Sequence, residues 1–228
     1  MGAGRAGSFD FALTSDFTHL VTVTDELVAG QAELLARSLP TDLLNGAIGS
    51  PTRLNGPMVA NGDVGFYSGG SGTWMGFKFT PDLTRVLYFA DQDVDEQHAL
   101  YSARLDGSGT PVRLSPVLAA SEDFFWIWPM LNDYAWYMVR NNSTFHTSIY
   151  RAPIDGPWSA TALMADNGVN FGFWPVANGA KAMISGSHDV NGSTETMVRV
   201  GPMSGQPDEL ALVPLAYPSG VFNSSPDA

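Results

Sequence analysis

Residues 10–23 and 76–89 share a register 66 residues apart. The shift carries Phe11 onto Phe77, Thr14 onto Thr80, Asp16 onto Asp82 and Thr18 onto Thr84, and further on Leu34 onto Leu100 and Leu39 onto Leu105. A shift of 48 sets Phe125, Ile127, Pro129 and Leu131 on Phe77, Phe79, Pro81 and Leu83, and a shift of 94 sets Phe171, Phe173 and Pro175 on Phe77, Phe79 and Pro81. The sequence thus predicts turn prolines at Pro81, Pro129, Pro175 and Pro226, spaced by 48, 46 and 51 residues. The longer first interval is read as two insertions, residues 41–50 and a Gly/Ser-rich link over 60–73. A fixed period of this length points to stacked supersecondary units, each burying its faces against its neighbours.

Each unit reads as a meander of four short strands. An alternating strand reaches a Pro-Asp type turn, and an apolar second strand follows, as in Arg85-Val86-Leu87-Tyr88-Phe89. A polar loop leads to a third strand (Ala99-Leu100-Tyr101), which ends on a Gly turn such as Asp106-Gly107 or Asp155-Gly156, and a short fourth strand closes the unit. Period-two alternation bounded by turn residues is strand chemistry. The expected fold is therefore all-β: a β-propeller of about four four-stranded antiparallel blades in one domain spanning 1–228. The blades fall near 8–58, 74–117, 122–165 and 168–214, with one extra strand at 216–228. That last strand breaks off inside a turn and reads as a fragment of a larger ring. Residues 26–39 have some helical propensity, but their alignment with the third strand of the next unit favours strand.

The string Phe79-Thr80-Pro81-Asp82, Arg85-Val86-Leu87-Tyr88 and Leu100-Tyr101-Ser102-Ala103-Arg104-Leu105-Asp106-Gly107 resembles the TolB-like, WD40-like β-propeller repeat. It is also similar to the propeller of prolyl-oligopeptidase-type peptidases. The likeness is closest over residues 76–116. Leu83 stands where that repeat usually has a glycine, and Met130-Leu131 replaces Asp-Gly in the third unit. The resemblance implies a binding platform, periplasmic, cell-envelope or extracellular, or a propeller that gates a hydrolase domain. Fold alone does not choose between them.

The apolar first-strand positions, Phe11 and Leu13 with their counterparts, are expected in the core between blades. Between them lie Lys78, Trp126, Trp128 and Trp174, the candidate ligand-binding residues, whose aromatic faces suit a sugar ring or a peptide proline. Inter-blade packing is the alternative for these tryptophans. Asp91, Asp93 and Asp95 stand at alternate positions, as at the start of an oxygen-ligand calcium loop, but Glu96 replaces the glycine such a loop needs. The four histidines, His19, His98, His146 and His188, are scattered without metal spacing.

No G-x-S-x-G is present, so no serine nucleophile elbow, and Gly69-Gly70-Ser71-Gly72 lacks the lysine of a phosphate loop. No cysteine is present, which removes thiolate chemistry and Cys-ligated zinc. A formal net charge of −12 disfavours a nucleic-acid partner. No apolar run of about 18 residues would span a bilayer as a helix. Residues 1–8 lack the apolar stretch of an export signal. The sequons at Asn141, Asn142, Asn191 and Asn223 read as polar turns. The residues by themselves favour a non-enzymatic scaffold that binds a protein or peptide, with a glycan as the further candidate. The rival is the propeller portion of a larger hydrolase or peptidase.

Overall fold

A computed structural model describes residues 10–65, 76–95, 97–116, 118–119, 121–131, 134–144, 147–156, 164–166, 171–176, 181–190, 193–202 and 211–213. These residues form sixteen strands in four antiparallel sheets of four, each in simple meander order. The first sheet holds β1 (Asp10–Leu13), β2 (His19–Thr24), β3 (Glu33–Ser38) and β4 (Thr52–Arg53). The second holds β5 (Phe77–Phe79), β6 (Arg85–Ala90), β7 (Ala99–Arg104) and β8 (Val112–Arg113). The third holds β9 (Glu122–Leu131), β10 (Tyr134–Asn141), β11 (Thr147–Pro153) and β12 (Met164–Asp166). The fourth holds β13 (Phe171–Val176), β14 (Lys181–Val190), β15 (Ser193–Pro202) and β16 (Ala211–Val213). No helix occurs among the described residues. Residues 26–39, the best helical stretch by propensity, supply β3 instead, and Leu27 and Val28 lie exposed in the loop before it. The extra strand read at 216–228 lies outside the described residues, as does the Gly69–Gly72 run.

The first three sheets pack face against face, and the pattern of β6 shows why. Alternate residues of a strand point to opposite sides. Val86, Tyr88 and Ala90 join the cluster shared with Val21, Val23, Leu34 and Ala36 of the first sheet. Leu87 and Phe89 join the cluster shared with Phe124, Ile127 and Tyr137 of the third. A strand buried on both faces must be apolar at every position, as Arg85-Val86-Leu87-Tyr88-Phe89 nearly is. Aromatic contacts act within the second sheet and across its seam with the third: Tyr88 of β6 stacks on its cross-strand partner Tyr101 of β7 at 5.4 Å, and Phe89 meets Phe124 of the third sheet at 4.5 Å between ring centroids.

The repeated Thr-x-Asp-x-Thr explains the register of 66. In the first hairpin Thr14 is fully buried, and its hydroxyl accepts the His19 N–H at 2.9 Å, while Asp16 accepts the Thr18 N–H at 3.1 Å and hydroxyl at 2.8 Å. The second hairpin repeats the cage. Thr80, equally buried, accepts the Arg85 N–H at 3.0 Å, and Asp82 accepts the Thr84 N–H at 3.1 Å and hydroxyl at 2.8 Å. Hydrogen bonds from the Thr14 and Thr80 hydroxyls are the leading reason that both carboxyls sit below the ordinary carboxylate range. Their support is complete above the unfolded value near 4 and is lost as pH falls through the lower folded value.

The cage also forces a left-handed residue at its tip. Phe17 has φ 57° and Leu83 φ 56°, so Leu83 takes the glycine conformation without being glycine. That conformation costs an L-residue about 1–2 kcal/mol, and glycine's extra unfolded-state freedom returns about 0.5–1 kcal/mol. Phe17 is 59% exposed and gives up little burial. Phe17→Gly is therefore expected to raise stability by about 0.5–1 kcal/mol, read as a higher urea midpoint. An unchanged or lower midpoint would mean that the Phe17 ring contributes more than its exposure indicates.

The third and fourth units depart from the expected turns. Pro129 lies inside β9, and Pro175 lies inside β13, where it pairs with Ala182. Neither marks a turn. The positions of the cage threonine and aspartate are taken here by Trp128 with Met130 and by Trp174 with Val176, which cannot build it. The chain therefore runs on as strand past the proline. Both strands are sheet edges, where a missing N–H is tolerated. A second departure is at Phe125. Trp126 pairs with Met138 and Phe124 with Val139, so Phe125 is the extra residue of a bulge. Phe124, 3% exposed, thus enters the core beside Ile127.

The two insertions also differ from one another. Residues 39–51 form the connection from β3 to β4, as expected. The described part of the supposed link over 60–73 is structured: Val64 is 1% exposed and bridges Ala90.

Candidate ligand positions and the acidic loop

The four candidate ligand residues all fall on the first strand of their sheets. Lys78 lies on β5, Trp126 and Trp128 on β9, and Trp174 on β13. Lys78 pairs with Leu87, on the sheet face turned toward the third sheet. It is half-buried, and desolvation lowers its ammonium pKa. In the register of the third sheet Trp126 pairs with Met138 and Trp128 with Trp136, and both partners are buried. Trp174 pairs with Met183. Of the four, Lys78 is the one whose side chain is described, and it shares a face with the seam between the second and third sheets.

The acidic loop holds a polar network that the sequence disclosed only in part. Asp91 is 4% exposed, and its carboxylate accepts the Asp63 N–H; the Asp63 carboxylate in turn accepts the Ala32 N–H. The Gln92 side-chain oxygen accepts the Gly56 N–H at 3.2 Å and the Tyr88 hydroxyl at 3.1 Å. Asn55, also buried, accepts the Leu34 N–H at 2.8 Å and donates to the Gly56 carbonyl at 2.9 Å. Together these bonds pin the connection after β4 to both the first and second sheets. A buried polar group costs stability unless it is satisfied, and these groups satisfy one another.

Asp93 turns the other way, accepting the Tyr101 hydroxyl at 2.8 Å and pairing with Arg113 at 3.3 Å. Asp95 takes the Asn61 amide at 3.5 Å. Asp91, Asp93 and Asp95 therefore diverge onto separate partners. Among the described residues no three His, Cys, Asp or Glu side chains gather as a metal set. Asn55, Asp63 and Gln92 were not singled out by the sequence, because a lone amide or carboxylate outside any repeat carries no pattern. Two histidines have described surroundings, both local: the His19 ring exchanges a hydrogen bond with the Thr18 hydroxyl at 2.8 Å, and His98 closes on Gly65, where a β-carbon would lie 2.4 Å from its ring; His146 lies outside the described residues.

A different surface is open. One face of the first sheet carries a groove of about 520 Å³ lined by Asp10, Phe11, Leu20, Thr22, Arg37 and Ile48 among others. Phe11 is 66% exposed, Leu13 45% and Ile48 56%. The expectation that Phe11 and Leu13 lie in a seam between sheets is thus not met within this chain. They occupy the seam position on a face that none of the described hydrophobic clusters covers. Arg37 and Glu26 form an ion pair at the groove.

Comparison with solved structures finds likeness of fold at low identity. A putative dipeptidyl aminopeptidase IV from Bacteroides ovatus superposes with a TM-score of 0.53 at 10% identity, over 90% of this chain and 29% of that one. Prolyl oligopeptidase B from Galerina marginata, bound to a 25mer macrocyclization substrate, gives 0.49 at 10% identity, over 90% of this chain and 25% of that one. The chain therefore spans between a quarter and a third of the length of these neighbours, and the fold is β-propeller-like. No protein-family model matches the chain, and no curated protein matches it. No helix among the described residues is long and apolar enough to cross a membrane.

Proposed function

We propose that this chain is the propeller portion of a larger peptidase-type hydrolase, carrying no nucleophile of its own and shaping access to a catalytic domain elsewhere in the protein. The observation that carries the reading is the likeness of its four four-stranded sheets to less than a third of a dipeptidyl aminopeptidase IV-type chain. A sheet packed on both faces, as the second is, makes a rigid wall, and such a wall suits gating and positioning of a peptide more than bond cleavage. Lys78, Trp126, Trp128 and Trp174, all on first strands, are the residues proposed to meet a peptide.

The test is to read the coding sequence on both sides and assay the whole product on chromogenic dipeptide substrates. An α/β-hydrolase stretch with G-x-S-x-G and turnover by the whole product, absent from the 228-residue chain, is the expected result. Further repeats with no hydrolase would overturn the reading. It would favour the TolB-like scaffold for a protein partner, which the exposed Phe11, Leu13 and Ile48 support.

A further inference from the structure

The two seams between described sheets are built alike. In the first, Phe77 and Phe79 on the opening strand of the second sheet lie against Val21, Val23, Leu34 and Ala36, on the second and third strands of the sheet before. In the second, Phe124 and Ile127 on the opening strand of the third sheet lie against Leu87, Phe89 and Leu100, again on the second and third strands of the sheet before. Each sheet thus sends its opening strand's apolar residues into the middle of its predecessor. The shift of 66 residues puts Phe11 and Leu13 in the places of Phe77 and Phe79. Ala12, between them, already faces the second sheet. The opposite face of β1 is therefore the half of a seam that looks toward a predecessor.

We infer that this face, with its exposed Phe11 and Leu13 and the groove that Phe11 and Ile48 line, is the seat of a further four-stranded sheet of the same repeat. That sheet would lie with branched apolar residues of its second and third strands against Phe11. The inference rests on reading the chain as part of a longer protein, and the continuity of the seam identifies the occupant. An apolar surface holding two large side chains in seam register is what the same residues bury twice elsewhere in the stack. Beside it, the Thr22 hydroxyl and one oxygen of Glu33 are buried with no hydrogen-bond partner among the described residues. An incoming sheet with a hydroxyl or amide at its edge would satisfy them. A small ligand would leave most of the face bare, since the groove is wide and open along β1.

The experiment places a photoreactive residue, Phe11→p-benzoylphenylalanine, in the protein expressed from its whole coding sequence, and identifies the crosslinked peptide by mass spectrometry. Phe11 is exposed in this chain, so the substitution leaves the described sheets able to form. The expected result is loss of the linear chain into one intramolecular product, joined to the second or third strand of a further repeat unit. A crosslink to a hydrolase domain, a crosslink to a second copy, no crosslink, or a coding sequence with no further repeat each overturns the inference. The outcome is separable from the proposed function. Further repeats without a hydrolase, crosslinked as expected, would leave the seat standing and remove the peptidase reading. A hydrolase with Phe11 uncrosslinked would do the reverse.

Discussion

Phe77→Ala is expected to cost about 3–5 kcal/mol of stability in the 228-residue chain, the range for emptying a buried aromatic site, whereas Phe11→Ala should cost less than about 0.5 kcal/mol, as for an exposed side chain. The two residues occupy the same place in the repeat. Phe77 is 1% exposed and sits in the seam against the first sheet, where removing its ring leaves a cavity that β-strands held by their ladders cannot close. Phe11 is 66% exposed and has no seam to lose. Urea denaturation of the two variants beside the parent chain reads the difference directly. Equal losses would mean that the first sheet is covered in solution and that its open face is not a property of the chain. In a longer protein with the seat filled, Phe11→Ala should become costly in its turn.

The second large effect appears at high pH. Tyr88, Tyr101 and Tyr137 are 0%, 2% and 0% exposed, and burial is the leading cause that raises the pKa of each phenol far above its ordinary value. The folded chain keeps all three protons where the unfolded chain sheds them. A raised acid of this kind contributes stability that is complete below the unfolded value near 10 and is lost as pH rises beyond it. Each such tyrosine removes about 1.4 kcal/mol per pH unit, so the three together remove about 4 kcal/mol per unit above pH 10. The urea midpoint should change little between neutral pH and about 10 and fall steeply above it.

Tyr137 isolates the effect. Its hydroxyl has no hydrogen-bond partner among the described residues, while Tyr88 donates to Gln92 and Tyr101 to Asp93. Tyr137→Phe should leave stability at neutral pH almost unchanged and make the alkaline slope shallower by about 1.4 kcal/mol per pH unit. A slope that does not change would show that Tyr137 ionises as readily in the fold as outside it.

The amino-acid sequence by itself determined the strands, the antiparallel four-strand meander and the all-β class, because these follow from alternation and local turn chemistry. The second unit was fully legible, since β6 must bury both faces and its residues say so at every position. The sequence also determined where the caged turns fall, because Thr14, Asp16 and Thr18 and their counterparts at 80, 82 and 84 form the cage from within five residues of chain. The absence of the same local chemistry accounts for Pro129 and Pro175 inside strands. Matching prolines without matching the cage misplaced those turns.

Only the tertiary structure decided the rest. A bulge hands the core position from Phe125 to Phe124, and a bulge depends on the partner strand. The network of Asn55, Asp63, Asp91, Gln92 and Tyr88 joins groups up to 37 residues apart, and no spacing announces it. The candidate ligand residues were legible as first-strand positions, but the face to which Lys78 belongs depended on cross-strand register. Phe11 and Phe77 are alike in sequence and opposite in burial, because burial belongs to a face and its neighbour together, and a repeat specifies only the face.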